Sequence, residues 1–168
     1  VKWVGSKVVM ETFSPTLQNP ITEPIATKIS NSKTEFPDLT KTDIPNDLYL
    51  VAEGKIDIKA SRVTYTTLDY AFYADVDDNT GFNGYALTFK ALGTDSGVTL
   101  RAADIVKGKT SIEIDRSNVF FDQDTLFVNV DNLSAFEKDT ITVELGFQIK
   151  GAAGRETLNG MNGRDLLW

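Results

Sequence analysis

The chain reads as an all-β antiparallel sandwich of immunoglobulin-like or jelly-roll type. Three observations predict it. Apolar residues recur with a period of two along most of the 168 residues, as strands with one buried and one wet face require. Turn signals cut these runs into short pieces at Asn79-Thr80-Gly81, Gly93–Gly97, Lys107-Gly108 and Asp122-Gln123-Asp124. Only 102–106 and 134–138 have a composition that suits a helical turn. About nine or ten short strands at such spacing are the pattern of a two-sheet body.

The elements follow in chain order. Strands are predicted near 4–13 and 24–30, with Pro15, Pro20 and Pro24 marking edges and bends. Residues 31–46 form a long polar connection with two prolines, which suits a crossover between sheets or a binding loop. Another strand is expected over 47–52. Ile56 and Ile58 alternate with Lys55, Asp57 and Lys59. Leu68, Tyr70, Phe72, Ala74 and Val76 alternate with Asp69, Ala71, Tyr73 and Asp75, which turns the first set inward and leaves Tyr73 on the wet face. Tyr85, Leu87 and Phe89 make the next inward row, followed by strands near 98–101 and 111–116. Leu126, Val128 and Val130 point inward and Phe127 outward. Ile141, Val143, Leu145, Phe147 and Ile149 close the series. The sandwich is expected to occupy residues 1–150.

Composition narrows the chemistry. Cys and His are both absent. A disulfide framework, a thiolate nucleophile, Cys-ligated zinc, a Ser-His-Asp triad and imidazole acid–base catalysis are therefore excluded. The formal charge of −7 argues against a nucleic-acid backbone or an anionic membrane as partner. No apolar run approaches the ~20 residues of a membrane span. A non-catalytic module is the expectation. A carboxylate-pair hydrolase or lyase stays possible in principle, with Glu53, Glu113, Asp115 and Glu144 available.

Residues 151–168 split into two blocks of nine, Gly151-Ala-Ala-Gly-Arg-Glu-Thr-Leu-Asn159 and Gly160-Met-Asn-Gly-Arg-Asp-Leu-Leu-Trp168. Gly, Gly, Arg, an acid and Leu recur at the same offsets. The segment resembles the opening of an RTX, or haemolysin-type calcium-binding, array. Asp165 stands at the acid position, with Glu156 as its longer counterpart, and Leu158 and Leu167 at the aliphatic one. Ala152 and Met161 replace the second glycine of the pattern. The resemblance implies a microbial, secreted or surface-exposed protein and a calcium-ordered coil, of which this chain carries the first turns. Two turns alone are too few to stack, because a solenoid unit needs neighbours on both sides.

Three candidate sites emerge. Asp75, Asp77, Asp78 and Asn79, closed by Gly81, set side-chain oxygens at short spacing on a tight turn, a donor set that suits calcium. Asp122 and Asp124 repeat the idea on a second turn, and the same residues are good turn formers in their own right. Tyr65, Tyr73 and Trp3 are candidate flat platforms for sugar stacking, with Phe127 beside them on a wet face. The functional expectation is an extracellular, calcium-associated module for adhesion, matrix building or ligand binding. The alternative is a carbohydrate-binding module of a secreted glycan-active enzyme. The expected partner is a glycan or a cell-surface or matrix protein.

Overall fold

Alternation of β-branched and aromatic residues with polar ones builds eleven strands in the computed structural model, which describes residues 4–42, 51–75 and 81–149. In order they are β1 (Lys7–Phe13), β2 (Ile25–Lys28), β3 (Gly54–Lys59), β4 (Arg62–Thr67), β5 (Ala71–Phe72), β6 (Gly84–Phe89), β7 (Val98–Ile105), β8 (Val119–Phe121), β9 (Thr125–Asn129), β10 (Ser134–Ala135) and β11 (Thr140–Ile149). Among the described residues there is no α-helix, only short 3₁₀ turns.

The strands form two main antiparallel sheets. One has the order β2-β1-β6-β9-β8 and the other β3-β4-β11-β7. A two-stranded ladder joins β10 to β5. The fold is the all-β sandwich that the two-residue period predicts. Val8, Met10, Tyr85, Leu87, Phe89, Leu126 and Val128 face inward from the first sheet. Ile56, Ile58, Val63, Tyr65, Ile141, Val143 and Leu145 face them from the second. All belong to one buried cluster. Each large apolar side chain so buried contributes roughly 1.5–3 kcal/mol.

The crossover from β2 to β3 is tied down at its described part. Phe36 and Ile56 exchange backbone hydrogen bonds at 3.0 and 2.8 Å. The buried Glu35 carboxylate accepts from Ser30 N at 2.6 Å and from Ile58 N at 2.7 Å. The Glu35 carboxylate thereby serves the Ile58 amide on the edge strand β3 and the Ser30 amide just past β2.

Several expected elements differ. Of residues 102–106, read as a helical turn, 102–105 continue β7, because pairing with β11 overrides the helix propensity of Ala102 and Ala103. Residues 134–138 hold β10 and a tight turn rather than a helical one. No strand forms over 111–116, where Ile112 is buried as a single anchor and a 3₁₀ turn follows at Arg116–Asn118. The expected strand over 47–52 lies mostly outside the described residues, and Val51 and Ala52 are not in a strand. β4 and β8 are elements that sequence reading missed.

Candidate functional site

The site begins with the ladder of β5 and β10. Ala71 pairs with Ala135 and Phe72 with Ser134. Both alanines are buried, so alternation turns Phe72 and Ser134 outward. Leu68, Tyr70, Phe72 and Phe136 are 39, 59, 65 and 69% exposed. The Tyr70 and Phe136 rings lie 5.7 Å apart, tilted by 55°. Leu68, Tyr70, Phe72 and Ala74, expected inside, are exposed, and Ala71 and Tyr73, expected on the wet face, are buried, whereas Asp69 and Asp75 are exposed as expected.

The turn after β10 fixes Phe136. Its amide donates to Asp139 Oδ2 at 2.8 Å, and the Ser111 hydroxyl donates to Asp139 Oδ1 at 2.7 Å. These bonds, the Phe136 amide first, hold the Asp139 carboxyl below its usual range. From beneath, the buried Thr67 hydroxyl donates to the carbonyls of Phe136 and Asp139. On the other side of the patch, Asp69 Oδ1 accepts from Tyr70 N at 2.7 Å.

Tyr65 and Tyr73, expected on wet faces as sugar platforms, are instead buried at 4 and 6% exposure. Tyr65 lies on the same side of β4 as Val63, toward the core. Tyr73 follows Ala71 at a spacing of two and so points inward with it. Their hydroxyls bond to each other, and both reach the Tyr85 hydroxyl, from Tyr65 at 3.4 Å and from Tyr73 at 3.5 Å. Burial pushes all three phenols above their ordinary titration range. A buried, neutral hydroxyl network is no stacking surface. Trp3 lies outside the described residues. Phe127 does face outward, where it stacks on Phe120 at 5.0 Å and meets the buried Phe82 edge-on.

At the opposite end of the sandwich, Asp122, Asp124 and Asp95 line one open concavity of about 410 Å³. Asp122 Oδ1 accepts from the amides of Asp124 and Thr125 at 3.1 and 2.8 Å, and Asp124 Oδ1 accepts from the Thr125 hydroxyl at 2.8 Å. One oxygen of each carboxylate therefore builds the turn. Among the described residues, no three carboxylates converge into a metal-binding group. Asp75 is exposed, whereas Asp77, Asp78, Asn79 and Asp165 lie outside the described residues. A neighbouring groove carries Arg101, Gln148 and Phe121. Arg101 is thrown outward by a bulge between Gly146 and Phe147 of β11, and its Nε donates to Gln148.

Two of the four carboxylates considered for catalysis, Glu144 and Asp115, have separate duties, and Glu53 and Glu113 are exposed. Glu144 accepts from Arg62 at 3.1 Å. Asp115 caps the turn at Arg116–Asn118, where the Ser117 hydroxyl and amide hold its carboxyl below the usual range. A lowered value is the opposite of what a general acid requires. Among the described residues, no helix is long and apolar enough to cross a membrane. Comparison with protein-family models, curated proteins and solved structures returns no match.

Proposed function

We propose that this chain is a non-catalytic binding module of a larger secreted or surface protein, and that its ligand is a glycan held on Tyr70, Phe72 and Phe136. The observation that carries the reading is the exposure of these three rings on and beside one small ladder, with the Phe136 backbone fixed by Thr67 and Asp139. Exposed rings held in place offer the apolar face on which a sugar ring stacks at low entropic cost. Ser134, Asp69 and Glu137 supply hydroxyl and carboxylate groups in the same stretch of chain. The charge of −7 disfavours a second copy of the chain and a nucleic acid, whose bases would also stack.

A glycan array followed by affinity titration tests the reading. Tyr70→Ala and Phe136→Ala are expected each to weaken binding about two- to tenfold, since stacking is worth roughly 0.5–1.5 kcal/mol per ring pair. Absence of any glycan hit for the intact chain defeats it.

Calcium enters the same proposal as an ordering ion for 75–79 and for the nonapeptides at 151–168. Its support is the spacing of carboxylates and glycines in the sequence. A melt in millimolar calcium, on a chain extended by further nonapeptides, is expected to rise relative to a chelated sample. An unchanged melt removes calcium from the reading.

A further inference from the structure

Beside the aromatic patch lies a cavity of about 290 Å³ whose wall includes Phe72. It sits near the small end of ordinary ligand pockets, which run from about 300 to 1,000 Å³. Its lining includes the hydroxyl-bearing Thr12, Ser14, Tyr73 and Tyr85 and the apolar Ile21, Val51 and Val130. Among the described residues, no Asp, Glu, Lys or Arg lines it.

Two of these hydroxyls are poorly served within the protein. Ser14 is 3% exposed, and its Oγ has no hydrogen-bond partner among the described residues. The Thr12 hydroxyl reaches Met10 Sδ at 3.8 Å, and a thioether is a feeble acceptor. A buried hydroxyl without a partner costs roughly 1–3 kcal/mol, so this wall favours an occupant that can hydrogen-bond to it. An ionised occupant would lose its hydration and meet no opposite charge among the described lining residues. The matching chemistry is a small neutral ring with hydroxyls at its edge and C–H groups on its face.

We propose that this cavity is a binding pocket for a single neutral pyranose unit, with Ser14 and Thr12 bonding its hydroxyls and Phe72 bordering its face. The unit can be a free monosaccharide or the terminal residue of a longer chain. The inference goes beyond the patch reading and does not require it.

Binding of methyl α-D-glucopyranoside, methyl β-D-galactopyranoside, N-acetylglucosamine and D-glucuronate to the full chain is to be measured by saturation-transfer NMR and equilibrium titration. Neutral oligosaccharides of the same units form a second arm. At least one neutral sugar is expected to bind with a millimolar Kd, and glucuronate at least about tenfold more weakly. Ser14→Ala is expected to fold, because removing an unpartnered hydroxyl leaves no new buried polar group, and to lose about tenfold in affinity. Tyr73→Phe is a second reporter on the same wall. Preference for the monosaccharide identifies a free ligand, and equal affinity for the oligosaccharide identifies a chain end. Three results overturn the proposal: no neutral sugar binding at 100 mM, glucuronate binding as well as the neutral sugars, or full affinity retained in folded Ser14→Ala. Full affinity in Ser14→Ala together with loss in Phe136→Ala would discard the pocket and leave the patch standing.

Discussion

Ser14, Tyr65, Tyr73 and Tyr85 carry the strongest local constraints in the molecule. The three phenols satisfy one another at the meeting of the two sheets, which makes the neutral form part of the fold. Their folded pKa values lie above that of the free side chain, so burial favours the protonated state. The stability this confers is full below about pH 10 and is lost as pH rises through the folded values. Of the five tyrosines, these three are expected to stay un-ionised in an alkaline titration followed at 295 nm, and then to ionise together as far-UV circular dichroism reports unfolding. Early, gradual ionisation of all five contradicts the network. Tyr70 and Phe136 behave oppositely. Each is more than half exposed, so truncation to Ala is expected to change stability by no more than about 0.5 kcal/mol while weakening glycan binding. The sequence made aromatic character plain at 65, 70, 72 and 73, but the expected direction of each ring is the opposite of the one found. Rings occur on both faces of 70–73, and a period of two says that neighbours oppose each other without saying which set is buried. The deciding contact, Ala71 against Ala135, joins residues far apart in the chain.

At the scale of elements, the turn from Phe136 to Asp139 links electrostatics to the patch. Asp139 is ionised when it accepts from Phe136 N and Ser111 Oγ, and those bonds lower its pKa from 3.8. A lowered carboxylate stabilises the fold above about pH 4, and that contribution disappears as pH falls through the folded value. Wild type is therefore expected to lose melting temperature and glycan affinity together between pH 5 and about pH 2, where the carboxylates protonate. Asp139→Asn is expected to be less stable near neutrality and flatter with pH. Parallel pH profiles for the two proteins would remove Asp139 from this role. The inner strands Ile56/Ile58, Tyr85/Leu87/Phe89, Leu126/Val128 and Ile141/Val143/Leu145 were legible because one face of each is uniformly apolar. β4 was not, because Thr64, Thr66 and Thr67 read as polar although their branched Cβ suits a strand. β8 is three residues long, wedged between the capped turn at Arg116–Asn118 and the Asp122 turn, and local pattern cannot mark so short a run. Gly84 shows a further constraint that composition hides. A Cβ there would sit 2.0 Å from the Val128 carbonyl oxygen, so Gly84→Ala is expected to pry β6 from β9 and lower the melting temperature sharply, whereas the same change at Gly108, with nothing near, is expected to be mild.

The two sheets of the whole molecule share one interior. The buried cluster takes Leu126 from the middle of the first sheet and Ile58 from the edge of the second, both fully inaccessible. The tyrosine network crosses the same gap, with Tyr85 on β6 and Tyr65 on β4. Neither sheet can release its inner face to water without exposing the other's. This coupling was legible from the sequence only as far as the class of fold, since period-two patterning requires a second apolar layer but does not name the partners. Its consequence is measurable. Leu126→Ala and Ile58→Ala each remove a large side chain from a close-packed interior, at a cost of about 2–5 kcal/mol, a sizeable part of the roughly 5–15 kcal/mol that holds a domain folded. In urea, far-UV circular dichroism reports the strands of both sheets, and near-UV dichroism of the buried tyrosines reports their contact. If the interior is one cooperative unit, either substitution shifts both signals to the same lower midpoint with an unchanged slope. Should Ile58→Ala lower the near-UV midpoint and leave a far-UV transition in place, the sheets unfold separately and the shared interior does not govern stability.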